Sequence, residues 1–376
     1  MSPIPLTAPW LDDAELVRVQ QALSSHLAGD GPFGRKVEQR LATLLQARRV
    51  LLTTSCTHAM ELALLALGIG PGREVVCPSF TFVSTANAVL RVGARPVFAD
   101  IEERTLGLDP DDVERRLGPA TSALLPVHYA GQACEMDALL ELSARRGLHV
   151  VEDAAHALGA SLHGKRLGTL GAAGCFSFHA TKNITCGEGG ALALGDSELI
   201  GRAEVIREKG TNRSAFLRGE VDKYSWVLEG SSYVLSDVLA AILDAQLDKL
   251  EQIQARREQL VAGYRQRLEA WAAAHDVRLP ALAPDRVSSH HIFYLLFASE
   301  ADRNRSMGFL RSREVLATFH YVPLHSSPQG QRVTGGELRL PVTDRVAARL
   351  LRLPLHTRLS DTDLDRVADN VRESLG

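Results

Sequence analysis

Residues 174–190 read GCFSFHATKNITCGEGG, and the lysine at their centre, Lys182, is one of only six in a chain with 42 Lys+Arg. On a loop leaving a strand, such an amine is either a solvated charge or a partly desolvated nucleophile. In the second case its lowered pKa suits Schiff-base formation. Three other stretches hold residues of matching chemistry. TTSCTHAM, residues 53–60, reads as a strand-to-helix turn. There Ser55, Cys56 and Thr57 offer hydroxyls and free N–H groups to a phosphate, or Ser55 simply caps the helix. VVEDAAHALGA, residues 150–160, ends an apolar run on Glu152 and Asp153. One of these is a turn carboxylate, or an acid kept ionised by a cationic partner such as a protonated ring nitrogen. PSFTFVSTANAV, residues 78–89, puts Phe80 and Phe82 at another strand end, where a ring can stack on a planar ligand or join the core. A phosphate cradle, a stacking ring, an acid for a ring nitrogen and a loop lysine are together what pyridoxal 5'-phosphate requires.

These groups lie far apart in sequence, so the fold must gather them. From about residue 45 to 195, the runs RRVLLTT, REVVCPS, ARPVFADI, SALLPVHYA and LHVVEDAA alternate with helix-like segments such as THAMELALLALG and EMDALLELSARRG. Strand, helix, strand at this spacing predicts βαβ units and a mostly parallel sheet covered on both faces. Ligands bind such sheets outside the carboxyl ends of their strands. Residues 236–272 keep apolar positions three and four apart, which predicts one long helix or two in succession. Beyond it, HHIFYLLFA, LATFHYVP and helical stretches near 343–351 and 361–374 predict an α+β unit. The expected architecture is α/β, with a large ligand-binding domain over residues 1–244 and a smaller C-terminal domain over 245–376.

Composition sets the class. A hydrophobic content of 45%, a charged content of 23% and a net charge of −3 describe a soluble globular protein with no attraction for nucleic acid or an anionic membrane. The first residues carry neither the basic nor the apolar region of a signal peptide, and no run is apolar enough to span a bilayer. Cys56, Cys77, Cys134, Cys175 and Cys186 are odd in number and contain no C-x-x-C pair. A disulfide framework or a structural metal site is therefore not expected, and a reducing cytoplasm is.

The segments SCTHAMELALLALGI, VEDAAHALGA and FSFHATKNITCGEGG resemble the nucleotide-sugar aminotransferases of the DegT/DnrJ/EryC1/StrS family. The similarity runs from about residue 5 to the C-terminus. IREKGTNRSAFLRGEVDKYSW, LEGSSYVLSD and FHYVPLH are similar to the branch that aminates C4 of TDP-4-keto-6-deoxy-D-glucose. The resemblance implies fold type I, pyridoxal phosphate, L-glutamate as amino donor, a nucleotide sugar as acceptor, and a homodimer with shared active sites. It implies that Lys182 holds the cofactor and shuttles the proton, and that Asp153 pairs with the ring nitrogen. His156 then lies near the cofactor's phenolic oxygen and Phe82 stacks on the ring. Cys56, Thr57 and Ser177 serve the phosphate. Ser232 stands where most relatives send an asparagine into the neighbouring subunit's site, with a shorter side chain. His320 and His325 fall where relatives contact the sugar nucleotide.

Other readings predict other features. A C3 aminotransferase, or one using a UDP or GDP sugar, would share the cofactor residues and differ around 207–235 and 319–326. A sugar dehydratase of the same superfamily would replace the lysine by histidine. A pyridoxal-phosphate-binding regulator would add a DNA-binding helix-turn-helix or a basic face. A dinucleotide oxidoreductase would show G-x-G-x-x-G after an early strand. Arg207, Arg213 and Arg218 are either partners for a pyrophosphate or carboxylate, or surface charges.

Overall fold

The computed structural model describes residues 2–281 and 283–375. In chain order it begins with α1 (Asp13–Ser25), α2 (Pro32–Leu45), β1 (Arg49–Thr53), α3 (Cys56–Ala66), β2 (Glu74–Pro78), α4 (Val83–Arg91) and β3 (Arg95–Ala99). Next come α5 (Pro110–Arg116), β4 (Thr121–Leu124), α6 (Met136–Arg146), β5 (His149–Asp153) and the small hairpin β6 (Ser161–Leu162) and β7 (Lys165–Arg166). Then follow β8 (Ala173–Ser177), β9 (Gly190–Leu194), α7 (Ser197–Arg207), α8 (Arg213–Leu217), α9 (Asp237–Asp248) and α10 (Leu250–Ala274). The C-terminal part holds β10 (Arg286–Val287), β11 (Phe293–Leu296), α11 (Glu300–Ser312), β12 (Thr318–Phe319), α12 (Pro328–Thr334), α13 (Pro341–Arg349), β13 (Leu350–Leu353) and α14 (Asp361–Glu373).

Seven strands form the main sheet in the order β1-β9-β8-β5-β4-β2-β3. Only β9 runs against the others, pairing antiparallel with β1 and with β8. The apolar runs are continuous because alternate residues feed two different layers. Val50 and Leu52 pack with Val37 and Leu41 of α2, Leu139 of α6 and Leu243 of α9. Leu51 packs on the opposite face with Ala59 and Met60 of α3, Val89 of α4 and Ala203 of α7. Each of these Val, Leu and Met side chains withdrawn fully from water contributes roughly 1.5–3 kcal/mol before entropy is counted.

Residues 236–272 form two helices rather than one, with the break at Lys249, whose Nζ pairs with Asp12 at 2.8 Å and Glu15 at 2.7 Å. A second sheet, β11-β13-β12, is antiparallel and packs under α10, α11 and α14. Ile4 joins this cluster and bridges to Val315, so the start of the chain packs with its C-terminal part. A further apolar cluster joins the two sheets: Phe80, Ile101 and Tyr129 meet Ile292, Tyr294 and Leu350. Among the described residues, no helix is long and apolar enough to cross a membrane, and no group of His, Cys, Asp and Glu is placed to hold a metal ion.

Candidate active site

The carboxyl ends of β1, β2, β5 and β8 open onto one cavity of about 520 Å³, roofed by residues of the smaller sheet. Cys56, Thr57, Phe82, Asp153, His156, Ser177, Lys182 and His320 all line it. Ser55 caps α3 by accepting from the His58 N–H at 3.1 Å, which leaves the N–H groups of the first turn directed at the cavity. Burial pushes the Cys56 thiol well up, so it stands there as a neutral thiol. Gly190 opens β9 against this turn; a Cβ on it would lie 2.4 Å from the Cys56 nitrogen. The glycine cluster after Lys182 thus makes room for the phosphate-sized cradle at β1.

Strand alternation separates the two acids of β5. Glu152 is turned into the protein, accepting from the Gly168, Leu170 and Gly171 N–H groups at 2.6–2.7 Å and meeting His128 Nε2 at 2.9 Å. Asp153 faces the cavity. Its Oδ2 accepts from Thr85 Oγ1 at 2.9 Å and its Oδ1 from the Ala155 N–H at 3.1 Å. Burial raises the Asp153 pKa, and those two hydrogen bonds and the Lys182 charge oppose it. A further cation at the exposed edge of this carboxylate would complete its ionisation.

The loop carrying Lys182 is fixed by its threonines and asparagine. Thr185 donates to the Phe178 carbonyl at 2.9 Å and accepts from the Gly187 N–H at 2.8 Å. Asn183 Nδ2 donates to the Ser289 carbonyl at 2.7 Å, so its Oδ1 must face His291 Nδ1, 2.8 Å away. His291 is therefore a donor through Nδ1, and its ring lies against that of His156, tilted by 33° with centroids 4.3 Å apart. Burial pushes the Lys182 amine down to about 8, with Asp153 and Cys56 opposing and Arg352 adding to the depression. This is the desolvated amine rather than the solvated loop charge.

The C-terminal wall holds His320, Tyr321, His291 and Arg352. Arginine is a donor only, so His320 Nε2 accepts from Arg352 Nη1 at 3.3 Å and Nδ1–H donates to the Tyr129 hydroxyl at 2.9 Å. Burial, then the Arg352 and Lys182 charges, keep His320 neutral. His156 is also held neutral, by burial first, and its Nδ1 is buried without a protein partner.

The structure sorts the remaining candidates. Phe80 is fully buried in the core between Tyr129 and Tyr321, whereas Phe82 is 58% exposed at the cavity. His325 does not line the cavity: the chain turns after Pro323, and its ring is buried against Ser79 Oγ at 2.7 Å and Asp344 at 3.2 Å. Ser232 is exposed and bridges to Glu208, away from the cavity of its own chain. Arg207 is buried in an ion-pair network with Asp30 and Glu38, each at 2.7 Å. Arg218 meets Glu204 and Glu220, and Arg213 lies 3.8 Å from Asp30, so none of the three reaches the cavity. Thr85, His291 and Arg352 join the site without a motif that singled them out.

The residues fit pyridoxal phosphate. The α3 N-terminus with Thr57 and Ser177 suits its phosphate, Asp153 its ring nitrogen, Phe82 its ring face and Lys182 its carbonyl carbon. The unpartnered Nδ1 of His156 suits a ring oxygen.

A sequence profile of the DegT/DnrJ/EryC1/StrS aminotransferase family matches residues 9–372. Among solved structures, the aminotransferase TlmJ from Streptoalloteichus hindustanus is 34% identical, with 100% of this chain and 99% of that chain covered and a TM-score of 0.91. DesV of S. venezuelae, solved in complex with a ketimine intermediate, is also 34% identical, with 99% and 98% covered and a TM-score of 0.88. The sugar aminotransferase Spr1654 of Streptococcus pneumoniae in its PLP form is 26% identical, with 99% and 98% covered and a TM-score of 0.90.

Proposed function

Since the chain belongs to the DegT/DnrJ/EryC1/StrS aminotransferase family, we propose that it is a pyridoxal-phosphate-dependent enzyme moving the amino group of L-glutamate to C4 of TDP-4-keto-6-deoxy-D-glucose. The product would be TDP-4-amino-4,6-dideoxy-D-galactose for surface polysaccharide synthesis. The observation that carries the aminotransferase reading is a desolvated Lys182, lowered to about 8, sharing one cavity with Asp153 and the N-terminus of α3. The choice of sugar is supported by the segments at 206–226, 228–237 and 319–325.

Pyridoxal phosphate, when bound, supplies an electron sink for the Cα–H bonding pair of the amino donor. The chain's own residues do the rest. Asp153 keeps a proton on the ring nitrogen, so the sink stays electron-poor. Thr85 and the Ala155 N–H hold the Asp153 carboxylate in that orientation. Lys182 Nζ, unprotonated at mildly alkaline pH, takes the proton from Cα in the first half-reaction and delivers one to C4 of the sugar in the second. Delivery from the face on which the lysine lies sets the configuration at C4.

The second copy in a homodimer would supply Ser232. The strip from Leu217 to Leu228 supports this, exposing Leu217 (63%), Tyr224 (56%) and Trp226 (79%). Five free, buried cysteines accord with a reducing cytoplasm.

Absorbance spectroscopy tests the reading. The purified protein with pyridoxal phosphate should show a visible band that L-glutamate converts to the near-ultraviolet amine form. TDP-4-keto-6-deoxyglucose should restore it and a UDP-4-keto-pentose should not. A band that glutamate leaves untouched would sink the proposal.

A further inference from the structure

A second, small cavity of about 10 Å³ borders the lysine loop, and its lining includes Thr7, Trp10, Lys182, Asn183, Arg257 and His356. Four stretches far apart in sequence meet there: the segment before α1, the lysine loop, α10 and the turn after β13. His356 is 5% exposed, and neither of its ring nitrogens completes a hydrogen bond among the described residues. The Pro5 carbonyl stands beside the ring and favours its protonated form, without the alignment of a hydrogen bond. Arg257 is equally enclosed, at 6%. Its Nε donates to the His290 carbonyl at 2.8 Å and its Nη2 to the His291 carbonyl at 2.7 Å, but among the described residues it has no ion pair. By contrast, the enclosed Arg207, Arg286 and Arg303 each meet a carboxylate. Burial pushes the Arg257 guanidinium down to about 9, with the Arg352 charge adding to the effect, so it keeps its proton at neutral pH.

Carbonyl dipoles share the charge of Arg257 without cancelling it, and a cation withdrawn from water with no counter-charge is costly. The carboxylate whose charge reaches His356, that of Asp363, is committed to the cap of α14, where it accepts from the Ser360 N–H at 2.9 Å and Oγ at 2.7 Å. Size then decides what completes the cavity. About 10 Å³ is the space of one water-sized particle. A carboxylate, phosphate or sulfate, with several heavy atoms, does not fit. A water fits and satisfies His356, but it brings no charge to Arg257. A monatomic anion answers both groups at once. We infer that this cavity is a site for a monatomic, monovalent anion such as chloride, held between the Arg257 guanidinium and a ring N–H of His356. Bound there, it ties the lysine loop and the segment before α1 to α10 and the smaller sheet. It takes no part in amino transfer and stands apart from the choice of substrate.

Crystals of the holoenzyme grown with sodium bromide as the only halide salt test the site directly, through the anomalous signal of bromide. A peak touching both the Arg257 guanidinium and the His356 ring is expected; a water there, or no density, would overturn the inference. In solution, chloride replaces gluconate, which is too large to enter, at constant ionic strength. This exchange should raise the melting temperature of the holoenzyme by at least about 2 °C. His356→Phe removes a hydrogen bond to a charged group and should shift the chloride midpoint of that rise upward at least about tenfold. His356→Gln keeps an N–H and should recover part of the affinity, while Arg257→Gln should abolish the response. A bromide peak with no chloride response in solution would mean an adventitious ion only, and a response that His356→Phe leaves unchanged would place the anion elsewhere. Either result would overturn the inference.

Discussion

Thr85 Oγ1 donates to Asp153 Oδ2 at 2.9 Å, across 68 residues of sequence, from the first turn of α4 to the end of β5. Thr85 is fully buried, and its hydroxyl also meets Thr81 at 2.8 Å. A hydrogen bond to a charged group contributes about 1.5–3 kcal/mol. Thr85→Val should therefore weaken pyridoxal phosphate binding by roughly 10- to 100-fold while leaving the phosphate cradle intact. Fluorescence titration of the apoprotein would show it; equal affinity in both proteins would mean that Asp153 needs no such support.

The amine of Lys182 gives a pH dependence with a defined sign. With its pKa lowered to about 8, its free-base fraction falls tenfold for each pH unit below that value, and cofactor capture by the apoprotein should slow in step. Between pH 8 and the usual 10.5, the unfolded chain holds a proton that the native chain has released. Apoprotein stability contributed by this group thus rises with pH across that window. Lys182→Met should abolish both the capture and this part of the slope in denaturation measured from pH 7 to 10.

Arg207 stands at the centre of a buried network, and its loss should read out as stability. Removing one partner of such a pair costs about 3–5 kcal/mol because the other charges stay buried. Arg207→Met should lower the urea midpoint by the corresponding amount, with KM for the nucleotide sugar unchanged in the folded fraction. A raised KM at full stability would return this arginine to the substrate.

Asn183 is pinned from both sides, by the Ser289 carbonyl and by His291 Nδ1. Asn183→Leu leaves both groups without a partner, at about 1–3 kcal/mol each. The adjacent Lys182 should lose its fixed direction, so kcat should fall more than KM changes. Steady-state kinetics with calorimetric melting would separate the two effects.

The sheet was legible because fully buried strands must be apolar on both faces, and Val50, Leu51 and Leu52 show the pattern without interruption. The reversal of β9 was not, since GALAL is equally apolar in either direction. Lys182, Asp153 and Thr57 could be picked out because their residue types carry chemistry at strand ends. Arg352 could not: inside LLRLPLH it reads as an edge-strand charge, and its position over the cavity depends on how β13 sits between β11 and β12. His320 and His325 share one short motif yet part company, because the chain turns between them. Residue type alone does not separate Glu152 from Asp153; the resemblance names Asp153, and Asp153 is the one that lines the cavity. Nothing local in SSHHIFY distinguishes His291 from His290, although only His291 lines the cavity.

Because β9 is hydrogen-bonded to both β1 and β8, the loop bearing Lys182 and the α3 cradle hang from neighbouring strands of one sheet. Their separation is set within that one sheet. Arg352 lies in the other sheet and His320 just after its strand β12, and that sheet is joined to the first by the α9–α10 corner and the packing of Phe80, Tyr129 and Tyr294. Any hinge motion at that corner therefore leaves the lysine's distance to the cradle fixed and changes its distance to the guanidinium. The floor of the cavity and its C-terminal wall thus answer to different parts of the fold.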